Sequence, residues 1–548
     1  MKNLLIKNGF VFDPLNDIHG EKKDIYVVNG RIAEKADERD IKIIDASGMV
    51  VMPAGIDIHT HFAGAKVNMG RLFRPEDSLR YLFGANNELR SGSGLSVPST
   101  CLTGYTYVKM GYLTLNEPAI APLKAIHTHE EFNDTPIVNK LGLLLLGNNQ
   151  QLIEYIARDE RDKFAPWVAW MLNATKTYGI KAVNPGGTLA WGWGKNVKSI
   201  YDNIPHFNVT PVEIIKTLID VNDELNLPHP LHIHLNNIGV PGSYETALET
   251  MDLGLEMHIT HLQFSCYGGD SWKNFESEAE ILAKKVKKEK KISVDIGQIV
   301  FGDTTTMTAD APFEYGLGEL THFKWNNGDV EDETGGGVVP YIYRKRSGVN
   351  AVQWTCGLEL ALLINDPWRV YITTDHPNAG PFIRYPKIIA WLMSKKYRDE
   401  TMRECSKWAS ERSTIASIDR ELNMEEIAIM TRAGPGKRLG IDASLREGEK
   451  ANIAIYNIYP EERDGKKIER AFSSTEYTIK EGKIVAKNGN IIADEGSTFY
   501  VKLEIDKDLS EDVKERFLYY TLLPENYEVG IGYLKNPVNV LENERDNS

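Results

Sequence analysis

The first fifty residues tend to alternate apolar and polar positions. "NLLIKNGFVFD", "DIYVVNGRIAEKA" and "KIIDASGMVVMP" follow the two-residue period of half-buried strands. Asn8–Gly9 and Asn29–Gly30 carry the residue chemistry of tight hairpin turns. The same texture returns near the other end, in "GEKANIAIYNI", "TEYTIKEGKIVAKNGNII" and "FYVKLEI". Between them, apolar strand-like runs alternate with amphipathic helical stretches. In "TPVEIIKTLIDVNDELNL", Thr210 and Glu213 make a capping box and Pro211 takes the first helical position. Val212, Ile215, Leu218 (or Ile219) and Leu225 give that helix an apolar stripe. "LPHP" stops it and "LHIHL" is a strand; Ser243 opens the next helix, Gly254 ends it, and "LEMHITHLQF" is the next strand.

β-rich ends around a β/α middle predict an α/β fold: a (β/α)8 TIM-type barrel with a small β-sandwich built from both termini. The expected divisions are residues 1–50 and 433–505 for the two parts of the sandwich, 51–432 for the barrel and 506–548 for a C-terminal extension. That extension contains "ERFLYYTLLPENYEVGIGYL", too aromatic for simple disorder, which favours docking on a partner protein.

Composition narrows the function. A chain of 548 residues, 42% hydrophobic and 26% charged, has the size of a large barrel with an added domain. A net charge of -14 argues against nucleic acid as a partner and against a polybasic membrane anchor. The dense basic run "KKVKKEKK" at residues 284–291 reads as a solvated helix face. The first residues lack the apolar core of a signal peptide, and no run reaches the ~18 apolar residues of a membrane span. Cys101, Cys266, Cys356 and Cys405 lie far apart without a C-x-x-C pair. This excludes an ordinary four-cysteine cluster and suits a disulfide-free chain in the cytoplasm. Redox chemistry involving this chain would run through another one.

The chemistry-bearing positions sit at predicted strand ends. Residues i and i+2 of a strand share a face, so "GIDIHTH" directs His59 and His61 the same way. Zinc-like ions accept imidazole nitrogen at ~2.0–2.1 Å, which makes the pair a half-site; alone, an H-x-H serves other purposes about as often. "TYGIKAVNPGG" puts Lys181 inside an apolar strand. On that segment alone, a lysine snorkelling to the rim is the simpler account. The alternative is a neutral amine that reacts with carbon dioxide, giving a carbamate able to bridge two metals. "PLHIHLNN" offers His232 and His234, of which His234 lies nearer the C-terminal mouth where barrel sites form. His232 reads as packed, or as supporting a ligand. "EMHITHLQF" offers His258 and His261 on opposite faces, with His261 the better candidate. "VYITTDHPN" ends a strand at Asp375, a carboxylate able to bind metal and accept a proton, or simply to make a turn; His376 reads as its neighbour.

The order H-x-H, Lys, His, His, Asp over successive strand ends is far more specific than any one member. Two ions ~3.5–4 Å apart would lower the pKa of a bridging water and polarise a carbonyl. "SGSGLS" at Ser91 does not make a dinucleotide loop, and "AGPGKRLG" at Ala433 lacks P-loop spacing and reads as a helix end. No G-x-S-x-G nucleophile elbow is present.

This ligand order resembles the amidohydrolase superfamily, especially its hydantoinase and dihydroorotase-like branch. "IKNGFVFDP", "PAGIDIHTH" and the "GPGKRLGI" to "KANIAIYNI" tail carry the likeness along nearly the whole chain. "HTHFAGAKVNMGR", "KMGYLTLNEPAIAPLKAIHTHEEF", "GIKAVNPGG", "LHIHLNNIGVPGSYETAL", "HITHLQFSCYGG" and "TTDHPNAGPF" are similar to the family of formylmethanofuran dehydrogenase A subunits. The resemblance implies a binuclear zinc site. His59 and His61 would hold one ion, His234 and His261 the other, a carboxylated Lys181 would bridge, and Asp375 would bind the first ion and shuttle protons. It implies condensation of formate with the amine of methanofuran, giving N-formylmethanofuran and water, in the one-carbon metabolism of methanogenesis. Formate would come from carbon dioxide, reduced at a tungsten or molybdenum pterin in a partner subunit, with iron–sulfur clusters in further subunits.

Methanofuran carries several carboxylates, so a local basic rim is expected. Arg344, Lys345 and Arg346, and the pair Arg384 and Lys387, are candidates, though an ordinary solvated loop suits them equally. Two other functions share the pattern: a hydrolase acting on formylmethanofuran or a cyclic amide, and a non-enzymatic assembly subunit that kept the barrel. An intact ligand set argues against the last.

Overall fold

In the computed structural model, residues 3–36, 41–74, 96–322, 326–328, 336–492, 494–505, 507–519 and 523–545 are described. Residues 91–95 of the glycine–serine stretch lie outside them, as do residues 506, 520–522 and 546–548 of the extension.

The architecture is mixed α/β, organised by a curled parallel sheet. Its strands follow chain order: Gly55–Asp57, Tyr112–Ile120, Asn139–Leu145, Gly179–Val183, His232–His234, Met257–Ile259, Ile292–Asp295 and Val370–Tyr371. Each pairs in parallel with the next. The first and last meet just beyond their ends, where Thr60 and His376 form a parallel bridge and the His61 N–H donates to the His376 carbonyl at 2.7 Å. Parallel strands covered on both faces need continuous apolar character, and every residue of Asn139–Leu145 is buried.

The helices between strands follow their local signals. Helix Pro211–Glu224 has the predicted capping box, with Glu213 accepting from both the Thr210 N–H and hydroxyl at 2.8 and 2.7 Å. Its buried face includes Val212, Ile215, Leu218 and Ile219. The next helix ends at Met251; Gly254 lies beyond it and takes a left-handed φ of 65° in the turn to the following strand. The lysine-rich run continues helix Ala279–Lys288, whose Lys284 pairs with Glu280 and Lys285 with Asp252 and Glu289.

Both chain ends share a second sheet of nine strands. Strand Asn3–Asp13 pairs with Ile18–Val28, Ile41–Asp45 and Val50–Pro53. Val50–Pro53 then pairs with Ile453–Tyr456, which leads on to Tyr477–Lys480, Lys483–Lys487 and Asn490–Ile491. Leu4, Ile6, Val27, Ile44, Ile453 and Ile479 share one apolar cluster, which ties the two ends together. Pro53 leads almost directly into the first parallel strand, so this sheet fixes the approach to His59. Gly55 is required there: a Cβ would lie 2.6 Å from the Tyr112 ring.

Two sequence expectations are corrected. Asn29–Gly30 does make a hairpin, but Asn8–Gly9 lies inside a continuous strand. The left-handed φ of 62° at Asn8 coincides with a register shift between Ile6 and Gly9, so the same turn chemistry serves a bulge. "FYVKLEI" forms strand Thr498–Tyr500, which joins the curled sheet at Lys140 and pairs with Pro537–Asn539. Alternation marks a strand without saying which sheet it joins. Helix Lys507–Tyr519 of the extension packs on this chain: the Phe517 ring lies 5.8 Å from Trp167, 5.0 Å from Trp170 and 4.6 Å from Tyr527.

A three-stranded antiparallel insertion of Gly302–Thr308, Asn326–Gly328 and Gly336–Tyr343 separates the last two parallel strands. Among the described residues, no helix is long and apolar enough to cross a membrane.

Candidate metal centre

The site forms at the C-terminal ends of the parallel strands. The first strand stops at Asp57, whose carboxylate accepts from the His59 N–H and from the hydroxyls of Tyr107 and Tyr385. That buried anchor fixes the H-x-H segment. The rings of His59 and His61 lie 5.2 Å apart at 88°. Both reach Asp375: His59 Nε2 is 2.9 Å and His61 Nε2 3.3 Å from Asp375 Oδ1. Asp375 itself holds a left-handed φ of 46°, an unusual conformation for a residue with a Cβ.

The later histidines join the same cluster. His261 lies 5.2 Å from His59 and 4.7 Å from His234, ring to ring, and its Nε2 is 3.9 Å from Asp375 Oδ2. Gly297, at φ 54°, makes room for it; a Cβ there would stand 2.4 Å from the His261 Cβ. Lys181 is buried and lies in register with His232 on the neighbouring strand; its Nζ donates to Thr260 Oγ1 at 3.3 Å. All six predicted residues therefore gather at one rim.

Burial and charge set their protonation. Burial pushes the Lys181 ammonium down to about 7, against the pull of Asp375, Asp295 and Glu117. Burial likewise takes His59 down to about 4, helped by Lys181. Burial would also lower His61, but Asp375 and Glu117 prevail and raise it to about 9. Burial alone would push the Asp375 carboxyl up; the imidazoles of His261, His59 and His61 override it and hold it well below the usual carboxylate range.

The donor set fits a cation. His59 Nε2 and Asp375 Oδ1, though 2.9 Å apart, are misaligned for a hydrogen bond, and each is buried without a hydrogen-bond partner. His261 Nδ1 is buried and unpartnered too. Native interiors rarely leave such atoms unsatisfied, and lone pairs of this kind are what a metal ion accepts. The ligand atoms of His59, His61 and Asp375 all lie within 4.8 Å of one another. A second group of that tightness, His59, His232 and Asp295, is held by hydrogen bonds and needs no ion. His59 Nδ1 contacts His232 Nε2 at 2.9 Å, and Asp295 accepts from the His261 N–H and the Thr373 hydroxyl.

Sequence reasoning missed several supporting residues. Glu117 Oε1 accepts from His61 Nδ1 at 2.9 Å while its Oε2 accepts from the N–H groups of Phe62 and Ala63. An acid inside the apolar run "YLTLNEPAI" is the same signal that marked Lys181. Asp295 ends the strand "ISVD" in an equally legible way. Asp310, 3.0 Å from His234 Nε2, follows the inserted strand Gly302–Thr308, and only the tertiary fold brings it here. His258 does not face away as strand alternation implied. Its strand ends at Ile259 and His261 takes a left-handed φ of 35°, so His261 reaches inward while the His258 ring contacts Asp295 at 3.2 Å from the same side. His376 is the expected neighbour; its Nδ1 accepts from the Phe382 N–H at 3.2 Å. Of the residues expected to form a basic rim, Lys345 pairs with Glu404 and Lys387 lies over the Trp391 ring.

Comparison with known proteins gives the chain's family. The family described as the Amidohydrolase family matches residues 42–486. Protein FwdA of Methanocaldococcus jannaschii is 51% identical over 552 residues, with 96% of this chain and 97% of that protein covered. The A component of the formyltransferase/hydrolase complex Fhc of Methylorubrum extorquens is 35% identical over 523 residues, covering 92% of each. The crystal structure of the Methylorubrum extorquens complex FhcABCD with methylofuran contains a chain that superposes with a TM-score of 0.89, at 32% identity over 96% of both chains. D-aminoacylase shares the fold at a TM-score of 0.51 and 13% identity, over 90% of this chain and 99% of that one. With a family match across most of its length and relatives this similar from end to end, the chain belongs to the amidohydrolase family.

Proposed function

We propose that the chain is the amidohydrolase-type A subunit of a formylmethanofuran dehydrogenase. It would condense formate with the amine of methanofuran to N-formylmethanofuran, reversibly. The observation that carries this is the gathering of His59, His61, Lys181, His234, His261 and Asp375, with unpartnered atoms on His59, His261 and Asp375, in a chain similar throughout to one solved with methylofuran. The curled sheet, joined at the Thr60–His376 bridge, supports a closed (β/α)8 barrel over residues 51–432. The shared terminal sheet supports a small β-domain built from residues 1–50 and the strands between Ile453 and Ile491, while Thr498–Tyr500 belongs with the curled sheet and residues 506–548 follow as an extension.

His59, His61 and Asp375 would hold one zinc ion, His234 and His261 the other, and a carboxylated Lys181 would bridge them. A lysine held near neutrality suits carbamate formation, because only the free amine attacks carbon dioxide. Ions so held supply Lewis acidity toward a carboxyl oxygen and acidify bound water. In the condensation, a C–N bond forms, one formate oxygen leaves as water, and both its protons come from the substrate ammonium. Asp375, kept ionised by the surrounding imidazoles, accepts a proton as the amine attacks. Glu117 holds the His61 ring through Nδ1, leaving Nε2 directed at the centre. Lys66 and Lys124, with Gly64, Glu117 and Thr128, line a small pocket beside His61, where the two lysines offer charge to an anionic substrate.

Formate would arise from carbon dioxide in partner subunits carrying a tungsten or molybdenum pterin and iron–sulfur clusters, in a cytoplasmic assembly. The hydrolytic direction is a second reading, favoured by the likeness to the A component of a formyltransferase/hydrolase complex. Ligands do not set direction, since a catalyst lowers the barrier both ways. The test is formate release from N-formylmethanofuran by the purified protein and by Asp375→Asn. Zinc-dependent release that the substitution abolishes supports the proposal; undiminished release by the variant overturns it.

A further inference from the structure

Behind His59 runs a file of buried imidazoles. His59 Nδ1 lies 2.9 Å from His232 Nε2, His232 Nδ1 lies 2.9 Å from His229 Nε2, and His229 Nδ1 lies 2.9 Å from the backbone carbonyl of Arg438. All three rings are buried. Arg438 sits in the last turn of helix Gly434–Leu439, where carbonyls lack intrahelical partners and carry the negative end of the helix dipole. This helix end is the "AGPGKRLG" segment.

A carbonyl oxygen can only accept, so the file has one consistent polarity. His229 must carry its proton on Nδ1, which leaves Nε2 as an acceptor. His232 must then donate through Nδ1 and accept through Nε2. His59 must in turn donate through Nδ1, and its Nε2 is left as a bare lone pair. That is the atom found unpartnered beside Asp375. The neighbouring histidine does not interrupt the file. The His258 ring lies 4.6 Å from His232, tilted by 47°, but its own nitrogens are directed at Ser293 Oγ and Asp295 Oδ2. Asp295 Oδ2 lies 3.8 Å from His59 Nδ1, beyond hydrogen-bond range and itself only an acceptor, so it favours the same polarity.

We propose that His232 and His229 are positioning residues that transmit the donor–acceptor polarity of the Arg438 carbonyl to His59 and lock it in the tautomer whose Nε2 lone pair faces the metal centre. This builds on the proposed role of His59 as a cation ligand. A free imidazole exchanges between tautomers, and only one of them offers Nε2 to a cation. The file removes the other form before any ion arrives, from a point at the opposite end of the strands.

The tautomers are read by ¹⁵N NMR of the full-length, metal-stripped protein with labelled histidine, each signal assigned by substitution. His59, His232 and His229 are expected as Nδ1–H forms. A wild-type His59 protonated on Nε2 overturns the inference whatever the protein does with metal, which separates it from failure of the proposed function. Zinc affinity, from competition with a chromophoric chelator, gives the second readout. His232→Leu removes the acceptor and is expected to weaken zinc binding by about 10–100-fold. His232→Gln can place a carbonyl oxygen where His232 Nε2 stood, accepting from His59 Nδ1, and is expected to keep His59 in the Nδ1–H form with affinity within a few-fold of wild type. Equal zinc affinity in His232→Leu and wild type overturns the proposal. If the leucine variant fails to fold, the wild-type tautomers and the glutamine variant still decide it.

Discussion

Replacing Glu117 by glutamine should weaken the metal centre while leaving the fold intact. The Glu117 carboxylate is buried and accepts from His61 Nδ1 at 2.9 Å, the Phe62 N–H at 2.8 Å and the Ala63 N–H at 3.0 Å. All three partners donate, and a carboxylate offers only acceptors. Glutamine keeps the shape but turns one acceptor into a donor. With its oxygen toward Phe62 and Ala63, its NH₂ faces His61 Nδ1 and favours the tautomer that protonates Nε2, the atom aimed at Asp375. Turned the other way, the NH₂ meets two backbone N–H groups. Either way at least one hydrogen bond to a charged acceptor is lost, each worth about 1.5–3 kcal/mol, or roughly 10–150-fold in an equilibrium constant. Loss of a partner supporting a metal-bound histidine independently suggests about 10–100-fold. Zinc competition against a chromophoric chelator, on stripped wild type and Glu117→Gln, reads this directly. Glu130→Gln, at a half-exposed glutamate on helix Ala125–Asp134, is a matched control expected to change nothing. Wild-type affinity in Glu117→Gln would refute the assignment of His61 Nε2 to the metal.

Two further outcomes are expected. Gly297→Ala forces a Cβ to within 2.4 Å of the His261 Cβ at a left-handed φ of 54°, so zinc content by mass spectrometry should fall below two per chain; full occupancy would contradict the close packing. Lys140 is buried away from the metal centre, and burial takes its pKa to about 7, helped by Lys480 and Lys535. As pH falls from the unfolded value of 10.5 toward 7, the unfolded chain gains a proton that the folded chain refuses, so stability drops by about 1.4 kcal/mol per pH unit. Lys140→Met should therefore raise the thermal midpoint at pH 7 and flatten its rise toward pH 9, and parallel profiles for the two proteins would count against this.

Much of the site was legible because strand ends concentrate it. His59, His61, His234 and Asp375 were marked by apolar runs that stop at a polar residue, and Lys181 by a charge inside such a run. The same rule, applied to acids as well as lysines, would have found Glu117 and Asp295. Asp310 was not legible, since it lies after an inserted strand whose return to His234 is a tertiary event. His258 was misjudged because two-residue alternation holds only while the strand lasts, and this one ends at Ile259. Asn8–Gly9 shows a related limit: a left-handed residue pair suits a bulge as well as a hairpin, and the apolar residues on both sides continue one strand. The terminal strands were visible by alternation, but the placing of Thr498–Tyr500 depends on hydrogen bonds to Lys140, which no local pattern encodes.

The most direct measurement is anomalous diffraction at the zinc edge from crystals of the purified protein. Two peaks roughly 3.5–4 Å apart are predicted, the separation at which paired ions act together. One should lie against His59, His61 and Asp375, the other against His234 and His261, with extra density on Lys181 Nζ between them. A zinc-replete protein whose ions sit elsewhere, or a working enzyme whose rim holds none, would contradict the account.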